Sequence, residues 1–160
     1  MRRRGGIRPW LVGLLLAGAL ALALPVPAAA QRVRRVIDGD TITVAGIGVV
    51  RLIGVDAPEK TGGYRDAEPF GDAATAFMKR LLEGQDVTLA YDGPRKDQYN
   101  RTLAYVFLPD HRLANLEIIR AGLAETYRRF TYTRKPEFQA AEREARAAKR
   151  GMWAARRPRD

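Results

Sequence analysis

The sequence predicts an α+β domain that is mainly a β-barrel, namely a five-stranded Greek-key barrel of the OB type with three α-helices. Five short segments are apolar at every second residue or throughout, as β-strands are. Three other segments repeat apolar residues at helical spacing. The first of these helices follows the third strand, as in OB-type barrels. The 160 residues suffice for one such domain and a tail.

The first three strands are short and are joined by tight turns. They are expected at residues 33–37, 41–44 and 48–55. Asp38-Gly39-Asp40 is a strong turn signal between the first two strands, because aspartate and glycine favour hairpin backbone angles. The third strand is apolar on both faces except at Arg51. Pro58 ends it, because proline cannot donate a hydrogen bond to a neighbouring strand.

A long loop and a helix separate the third strand from the last two. Residues 59–71 contain three glycines and one proline, and loops of this length often carry function. Apolar residues at helical spacing then mark the helix: Ala74, Phe77, Met78, Leu81 and Leu82. Asp72 is its expected N-cap, and Gly84 is expected just past its C-terminus. Residues 87–91 and 103–108 complete the strands.

Two helices close the chain. Their apolar residues at helical spacing are Leu113, Leu116 and Ile119 in the first, and Phe138, Ala141, Ala145, Ala148 and Met152 in the second. Gly122 ends the first helix. Pro136 suits the first turn of the second, where a backbone N–H is not needed.

Residues 1–30 have the pattern of a secretory signal peptide. Four arginines precede an apolar run over residues 10–24, two prolines follow, and Ala28 and Ala30 suit a cleavage site. An uncleaved membrane anchor is the alternative, but the run is shorter than the roughly 20 residues that span a bilayer. We therefore expect cleavage after Ala30, a folded domain at 31–160, and a secreted or periplasmic protein that meets the membrane only in transit.

Composition excludes several kinds of site. The chain has no cysteine, which excludes disulfides, thiol nucleophiles and thiolate metal sites. Its single histidine, His111, excludes multi-histidine zinc sites. The net charge is +10, and loss of residues 1–30 would leave 24 basic against 18 acidic residues. This excess suits a polyanion such as nucleic acid, or serves solubility alone.

Three charged residues interrupt the apolar pattern of the strands. Asp40, Arg51 and Arg101 each share the two-residue phase of apolar neighbours, so we expect them to point toward the buried side. A buried unpaired charge costs several kcal/mol. These groups therefore need partners: each other, a metal ion or an anionic ligand.

Asp40 and Asp56 both lie at strand boundaries and could meet if their strands are adjacent. Two carboxylates without histidine or cysteine suit a hard cation, Ca²⁺ or Mg²⁺, completed by backbone carbonyls and water. The alternative is structural only, with a hairpin turn at Asp40 and a strand end at Asp56.

A phosphate near that cation would give Arg51 and Arg101 the partner that their charges require. A guanidinium donates two hydrogen bonds to phosphate oxygens and would stabilise the charge that develops when water attacks a phosphodiester. Glu59 is the candidate to position or deprotonate that water. The alternative for the arginines is ordinary ion pairing with acidic residues. Tyr99 and Tyr127 could stack on bases or could be rim residues.

Four motifs, in order, resemble the staphylococcal nuclease family. They are residues 36–41 (VIDGDT), 51–59 (RLIGVDAPE), 97–105 (DQYNRTLAY) and 151–153 (GMW). Together they span nearly the whole expected mature chain. The resemblance implies an OB-fold barrel with three helices. It also implies a calcium-dependent endonuclease, a hydrolase that cuts DNA and RNA with little sequence specificity and leaves 3′-phosphates.

The resemblance also implies the metal ligands. Asp40 and Asp56 match the carboxylates that bind calcium in the family. Ala57 matches a position that offers its backbone carbonyl to the ion, so the absence of a side-chain hydroxyl there should matter little. The implied cofactor is Ca²⁺.

Catalytic and substrate-binding roles carry over in the same way. Glu59 matches the residue that positions or activates water, and Arg51 and Arg101 match the pair that binds the reacting phosphate. Tyr99 matches a tyrosine that contacts the nucleotide. Asn100 departs from the family's usual glycine, but asparagine tolerates the positive φ that the turn requires.

The rival interpretation is a non-catalytic OB-fold module that binds nucleic acid. Such a module would need the barrel, the basic charge and the stacking residues, but not the five charged positions together. Those five are Asp40, Arg51, Asp56, Glu59 and Arg101. Because all are present, the sequence favours the enzyme, with DNA and RNA as substrates. We expect a monomer without a stable protein partner.

Overall fold

The computed structural model describes residues 29–63 and 65–154, and its main feature is a closed five-stranded barrel. The seven strands are β1 (Gln31–Val36), β2 (Thr41–Val44), β3 (Gly48–Leu52), β4 (Val55–Asp56), β5 (Asp86–Ala90), β6 (Thr102–Phe107) and β7 (Glu125–Thr126). The barrel order is β1-β2-β3-β6-β5, and β1 pairs with β5 to close it. Only the β3–β6 pair is parallel. The predicted barrel with three helices is confirmed.

The predicted third strand, 48–55, is wrong in one respect. β3 ends at Leu52, and Gly54 turns the chain with φ 78°. The chain then forms β4, which pairs with β7 in a separate two-stranded sheet. A Cβ on Gly54 would lie 2.6 Å from the Tyr132 ring, so this close turn requires glycine. The turn brings Asp56 out of the barrel wall.

The three predicted helices are present as α1 (Gly71–Leu82), α2 (Ala114–Arg120) and α3 (Lys135–Ala147). Two details differ from the prediction. Asp72 is not the N-cap of α1: Phe70 holds that position, and the Asp72 carboxylate accepts hydrogen bonds from Thr61. Met152 lies outside α3, because Lys149 leaves the right-handed region with φ 51° and residues 151–153 form a separate 3₁₀ turn.

The barrel and the helices share one apolar core. Its most buried side chains include Ile42, Val50, Leu52, Met78, Ile118 and Phe138. A buried amide, Asn115 on α2, ties the core to the chain near the β3–β4 turn. Its side chain accepts from the Val106 N–H at 2.9 Å and donates to the Ile53 carbonyl at 3.0 Å. These bonds fix the turn that leads to Asp56.

No helix in the described ranges is long and apolar enough to cross a membrane. The predicted signal peptide at 1–30 lies outside the described residues except for Ala29 and Ala30.

Candidate active site

The Asp38-Gly39-Asp40 turn brings the first candidate carboxylate against the chain after β4. The Asp40 N–H donates to Asp38 Oδ1 at 3.0 Å, which closes the turn. A Cβ on Gly39 would lie 2.5 Å from the Ala57 Cβ. Glycine is therefore what allows the turn to approach residue 57.

The Asp40 carboxylate is buried and is held from three sides. Oδ1 accepts from the Thr41 hydroxyl at 2.9 Å, and Oδ2 accepts from the Ala57 N–H at 3.1 Å. Arg51 Nη1 lies 2.5 Å from the same Oδ2. Burial raises the pKa of Asp40 to about 7, although Arg51 opposes this shift. The contacts present thus compensate only part of the cost of a buried negative charge.

Asp56 is the second carboxylate at the site. Arg51 Nη2 lies 3.9 Å from Asp56 Oδ1, so one guanidinium bridges Asp40 and Asp56. The β4–β7 pairing also places Asp56 directly opposite Glu125. Partial burial raises the pKa of Asp56, and Glu125 and Glu68 raise it further, against the effects of Arg51 and Arg129. The net upward direction indicates that the nearby positive charge does not fully compensate this carboxylate.

This donor set fits a hard cation that keeps much of its own water. Among the described residues there is no group of three or more histidine, cysteine, aspartate or glutamate side chains that could hold a metal ion. Asp40 and Asp56 supply two carboxylates, and the raised pKa values show that extra positive charge would be favourable there. Carboxylate, carbonyl and water oxygens are the ligands that Ca²⁺ and Mg²⁺ prefer.

Glu59 lies three residues after Asp56, in a loop fixed against the start of α1. Its N–H donates to Glu68 Oε2 at 3.0 Å, and its carbonyl accepts from the Glu68 N–H at 2.8 Å. A Cβ on Gly71 would lie 1.9 Å from the Glu59 carbonyl oxygen. Arg65 Nη1 is 3.7 Å from the Glu59 carboxylate. The backbone of Glu59 is therefore positioned by both its loop and the helix.

An open pocket of about 560 Å³ joins Asp56 to Glu59. Its lining residues are Asp56, Ala57, Pro58, Glu59, Arg65, Glu68, Pro69, Phe70, Glu125 and Met152. Four of these are acidic and one is basic, so the pocket itself is no anion site. Any phosphate must be held from the side on which the arginines lie, or through a bound cation.

Arg101 lies in a hairpin that precedes β6, together with Tyr99. Its N–H and its Nε both donate to the Asp97 carboxylate, at 2.9 Å and 2.7 Å. Among the described residues, only Nε of the guanidinium makes a hydrogen bond, so its two terminal nitrogens are available to a ligand. The Tyr99 ring is 68% exposed and lies 5.3 Å from the Arg101 guanidinium. Asn100, between them, has the expected positive φ, 62°.

The predicted orientation of Arg51 is wrong. In β3 the buried residues are Val50 and Leu52, whereas Arg51 lies on the opposite face with the exposed Val49. The prediction failed because it continued the two-residue phase through the turn at Gly54. Arg51 pairs in parallel register with Leu103, two residues after Arg101. The register therefore brings the backbone of Arg101 close to the β3 segment that carries Arg51.

The structure brings together part of the predicted site. Asp40, Arg51, Asp56 and Ala57 are in direct contact, and Glu59 shares the pocket with Asp56 and Ala57. Arg101 and Tyr99 form a separate group in the turn before β6, the strand that pairs with β3. Arg101 does make an ordinary ion pair, the alternative considered for it, but that pair leaves its terminal nitrogens unused.

Sequence reasoning missed several residues at the site. Asp97 orients Arg101, and its position four residues earlier was the available signal. The position of Glu125 could not be predicted, because its strand β7 has only two residues and therefore no alternating apolar pattern in the sequence. Phe130 is 68% exposed and packs on Tyr127, with 5.5 Å between ring centres. The exposed rings suit base stacking.

Comparison with known proteins agrees with the resemblance seen in the motifs. The model of a family described as "Staphylococcal nuclease homologue" matches residues 49–155. A thermonuclease of Staphylococcus hyicus is 40% identical over 126 residues, which cover 76% of this chain and 74% of that protein. A thermonuclease of Staphylococcus intermedius is 48% identical over 95 residues, 58% of this chain and 56% of its own.

A bacterial relative outside the staphylococci shows the same extent of similarity. An uncharacterized endonuclease of Escherichia coli is 39% identical over 125 residues, covering 76% of this chain and 75% of that protein. The matched family region contains Arg51, Asp56, Glu59 and Arg101. By sequence, by fold and by the contacts around Asp40 and Asp56, this chain belongs to the staphylococcal nuclease family.

Proposed function

We propose that this chain is a secreted or periplasmic, calcium-dependent endonuclease that hydrolyses DNA and RNA with little sequence specificity and leaves 3′-phosphates. Family membership supports a hydrolase that acts on nucleic acid, and relatives of similar length are named thermonuclease or endonuclease. The observation that carries the proposal is the pair Asp40 and Asp56, bridged by Arg51 beside a pocket that contains Glu59.

Asp40, Asp56 and the Ala57 carbonyl are the groups that would hold the calcium ion. When bound, the ion would supply positive charge for the phosphate oxygens of the reacting group. The Ala57 N–H already holds Asp40, so the backbone at residue 57 is fixed relative to the first carboxylate. Loss of either carboxylate removes half of the negative charge that these two side chains offer a cation.

Arg51 and Arg101 bind and stabilise the reacting phosphate in this proposal. Arg51 lies on β3, and Arg101 directly precedes β6, the strand that pairs with β3. Asp97 holds Arg101 by Nε, which directs its two terminal N–H groups outward as a fork for two phosphate oxygens. With a cation beside Asp40, Arg51 would be able to donate to a phosphate oxygen in place of part of its contact with that carboxylate.

Glu59 serves as the group that orients or deprotonates the attacking water. Its side chain faces the pocket, and its backbone is held at both N–H and carbonyl by Glu68. Proton removal by a positioned carboxylate typically contributes about 10²–10⁴-fold to rate. Tyr99 contacts the nucleotide beside Arg101, and Tyr127 with Phe130 offers a second surface for bases.

The proposal includes the chain's organisation and location. Residues 1–30 are an export signal cleaved after Ala30, and residues 31–160 are the active, monomeric domain. Calcium is abundant outside the cytoplasm, which suits a site built from only two carboxylates.

The direct test is cleavage by purified residues 31–160. Single-stranded DNA, duplex DNA and RNA are incubated with calcium, with calcium plus EGTA, and with magnesium alone. We expect cleavage only with calcium, and products that a 3′-phosphatase makes extendable by a polymerase. Binding without cleavage in calcium would indicate the non-catalytic module instead. Equal cleavage in magnesium would refute the calcium dependence alone.

A further inference from the structure

Arg95 is an exposed arginine with a fixed position and no acidic partner. Its guanidinium carbon lies 3.7 Å from the centre of the Tyr91 ring, so the side chain is stacked. Within residues 29–63 and 65–154, its side chain makes no ion pair and no hydrogen bond. Arg112 and Arg134, also exposed, differ in this respect: Arg112 pairs with Asp110 at 2.8 Å, and Arg134 pairs with Glu137 at 2.8 Å. The charge of Arg95 is therefore available to a ligand.

The backbone of Arg95 belongs to the hairpin that carries Arg101. The Leu103 N–H donates to the Arg95 carbonyl at 2.9 Å, and the Asp97 N–H donates to the Arg101 carbonyl at 3.0 Å. Lys96 pairs with Thr102 in an antiparallel bridge, so Arg95 and Arg101 lie on the two arms of the hairpin, to either side of that bridge. Asp97, on the same arm as Arg95, holds the Arg101 guanidinium. A nucleic-acid strand that crosses this hairpin would present one phosphate to each arginine.

We propose that Arg95, stacked on Tyr91, binds a backbone phosphate of the substrate outside the position that is cleaved. A guanidinium stacked on a ring keeps its N–H edge free, and that edge donates to phosphate oxygens. The hairpin then guides a single-stranded polynucleotide away from Arg101 along the barrel. This inference rests on the proposed function, because it assigns a further contact to the same substrate.

The test measures cleavage of oligothymidylates from two to ten nucleotides long by Arg95→Ala. For the ten-nucleotide substrate we expect KM to rise about fivefold to tenfold with kcat unchanged, since one phosphate contact is lost. The dinucleotide, too short to reach Arg95, should be cleaved as by the unmodified protein. Arg143→Ala removes another exposed arginine, on α3, which has no ion pair or hydrogen bond of its side chain within residues 29–63 and 65–154. It should leave the KM and kcat for both substrates unchanged.

A second measurement separates this proposal from the proposed function. Fluorescence anisotropy with the ten-nucleotide strand in EGTA reports binding without cleavage. Arg95→Ala should weaken binding, and the slope of log affinity against log salt should become shallower by about 0.7. Arg143→Ala should bind as the unmodified protein does. If no variant cleaves but Arg95→Ala alone binds weakly, the proposed function fails and the phosphate contact stands.

Two results would overturn the phosphate contact. One is that Arg95→Ala loses the same factor in kcat/KM for the dinucleotide as for the ten-nucleotide strand, which would indicate that Arg95 has a structural role. The other is unchanged KM and affinity for the ten-nucleotide strand. Arg95→Lys retains the charge but not the planar stack, so an intermediate KM is expected if the stacking on Tyr91 matters.

Discussion

At the scale of single residues, the two arginines of the site differ in how far nearby carboxylates occupy their guanidinium groups. Arg51 spans two carboxylates, whereas Asp97 occupies only Nε of Arg101. The pKa of Asp97 shows the strength of that contact. Burial raises it, but hydrogen bonds from the N–H and Nε of Arg101 bring it below its usual value. We therefore propose Asp97 as a positioning residue that would affect catalysis through Arg101.

Asp97→Asn should reduce kcat/KM about tenfold, because an amide holds the Arg101 Nε less strongly than a carboxylate does. Steady-state cleavage of single-stranded DNA measures this. Asp110→Asn is the matched control, since Asp110 also accepts from an arginine Nε at 2.8 Å but lies at an exposed turn in front of α2. Equal activity losses in the two variants would show that Asp97 has no specific role.

At the scale of elements, short connections position the site more than the long strands do. The Glu59 loop packs on the start of α1 at Gly71, and the β4–β7 pair holds Asp56 against Glu125. The carboxylate of Glu142 fastens β7 to α3: it is 2% exposed and accepts from the Thr126 N–H, Arg128 and Arg146. These contacts connect the helices to β7 and, through it, to β4, which carries Asp56.

Gly71→Ala should lower kcat at least tenfold, although alanine is normally the better helix residue by about 1 kcal/mol. The new Cβ would overlap the Glu59 carbonyl and displace the carboxylate that we propose acts on the attacking water. Gly84→Ala is the control. There φ is 77°, which costs about 1 kcal/mol of stability without contact with the Glu59 loop. An unchanged kcat in Gly71→Ala would contradict the assigned role of this junction.

Glu142→Gln should lower the free energy of unfolding by about 1–3 kcal/mol at neutral pH. Burial alone would raise the pKa of Glu142, but hydrogen bonds from Arg146 and Thr126 bring it below 4.5. A lowered folded-state pKa stabilises the fold above the unfolded pKa, and that stability is lost as pH falls through the folded value. The difference in free energy of unfolding between Glu142→Gln and the unmodified protein should therefore become smaller as the pH falls.

Urea unfolding at a series of pH values measures this difference. Glu144→Gln, an exposed neighbour on α3, is the control and should change stability little at any pH. If the two proteins differed by the same free energy of unfolding down to strongly acidic pH, the stabilisation could not come from the ionised Glu142 carboxylate.

At the scale of the whole molecule, the sequence predicts the architecture well and the local geometry less well. Period-two segments gave all five barrel strands, and helical spacing gave three helices within a few residues. The pair β4–β7 escaped prediction because two-residue strands have no period. The outward direction of Arg51 was not predicted, because the apolar residues on both sides of Gly54 were assigned to one strand. Glu125 comes close to Asp56 only through the folded chain.

Calcium should stabilise the whole fold if the two carboxylates hold it. A ligand at a hundred times its Kd adds about 2.7 kcal/mol of stability, and each kcal/mol raises Tm by roughly 4 °C in a domain of this size. Thermal unfolding of residues 31–160 with calcium and with EGTA tests this. Asp56→Asn should lose most of the calcium-dependent rise. A rise that survives in Asp56→Asn would locate the ion elsewhere.

The most direct measurement of the central claim is the turnover of single-stranded DNA by Glu59→Gln at saturating calcium. Glutamine keeps the size of the side chain but cannot remove a proton, so kcat should fall about 10²-fold or more while circular dichroism and Tm stay unchanged. Glu144→Gln should retain full turnover under the same conditions. Near-normal turnover by a folded Glu59→Gln would contradict the assignment of Glu59, and with it the proposed mechanism of hydrolysis.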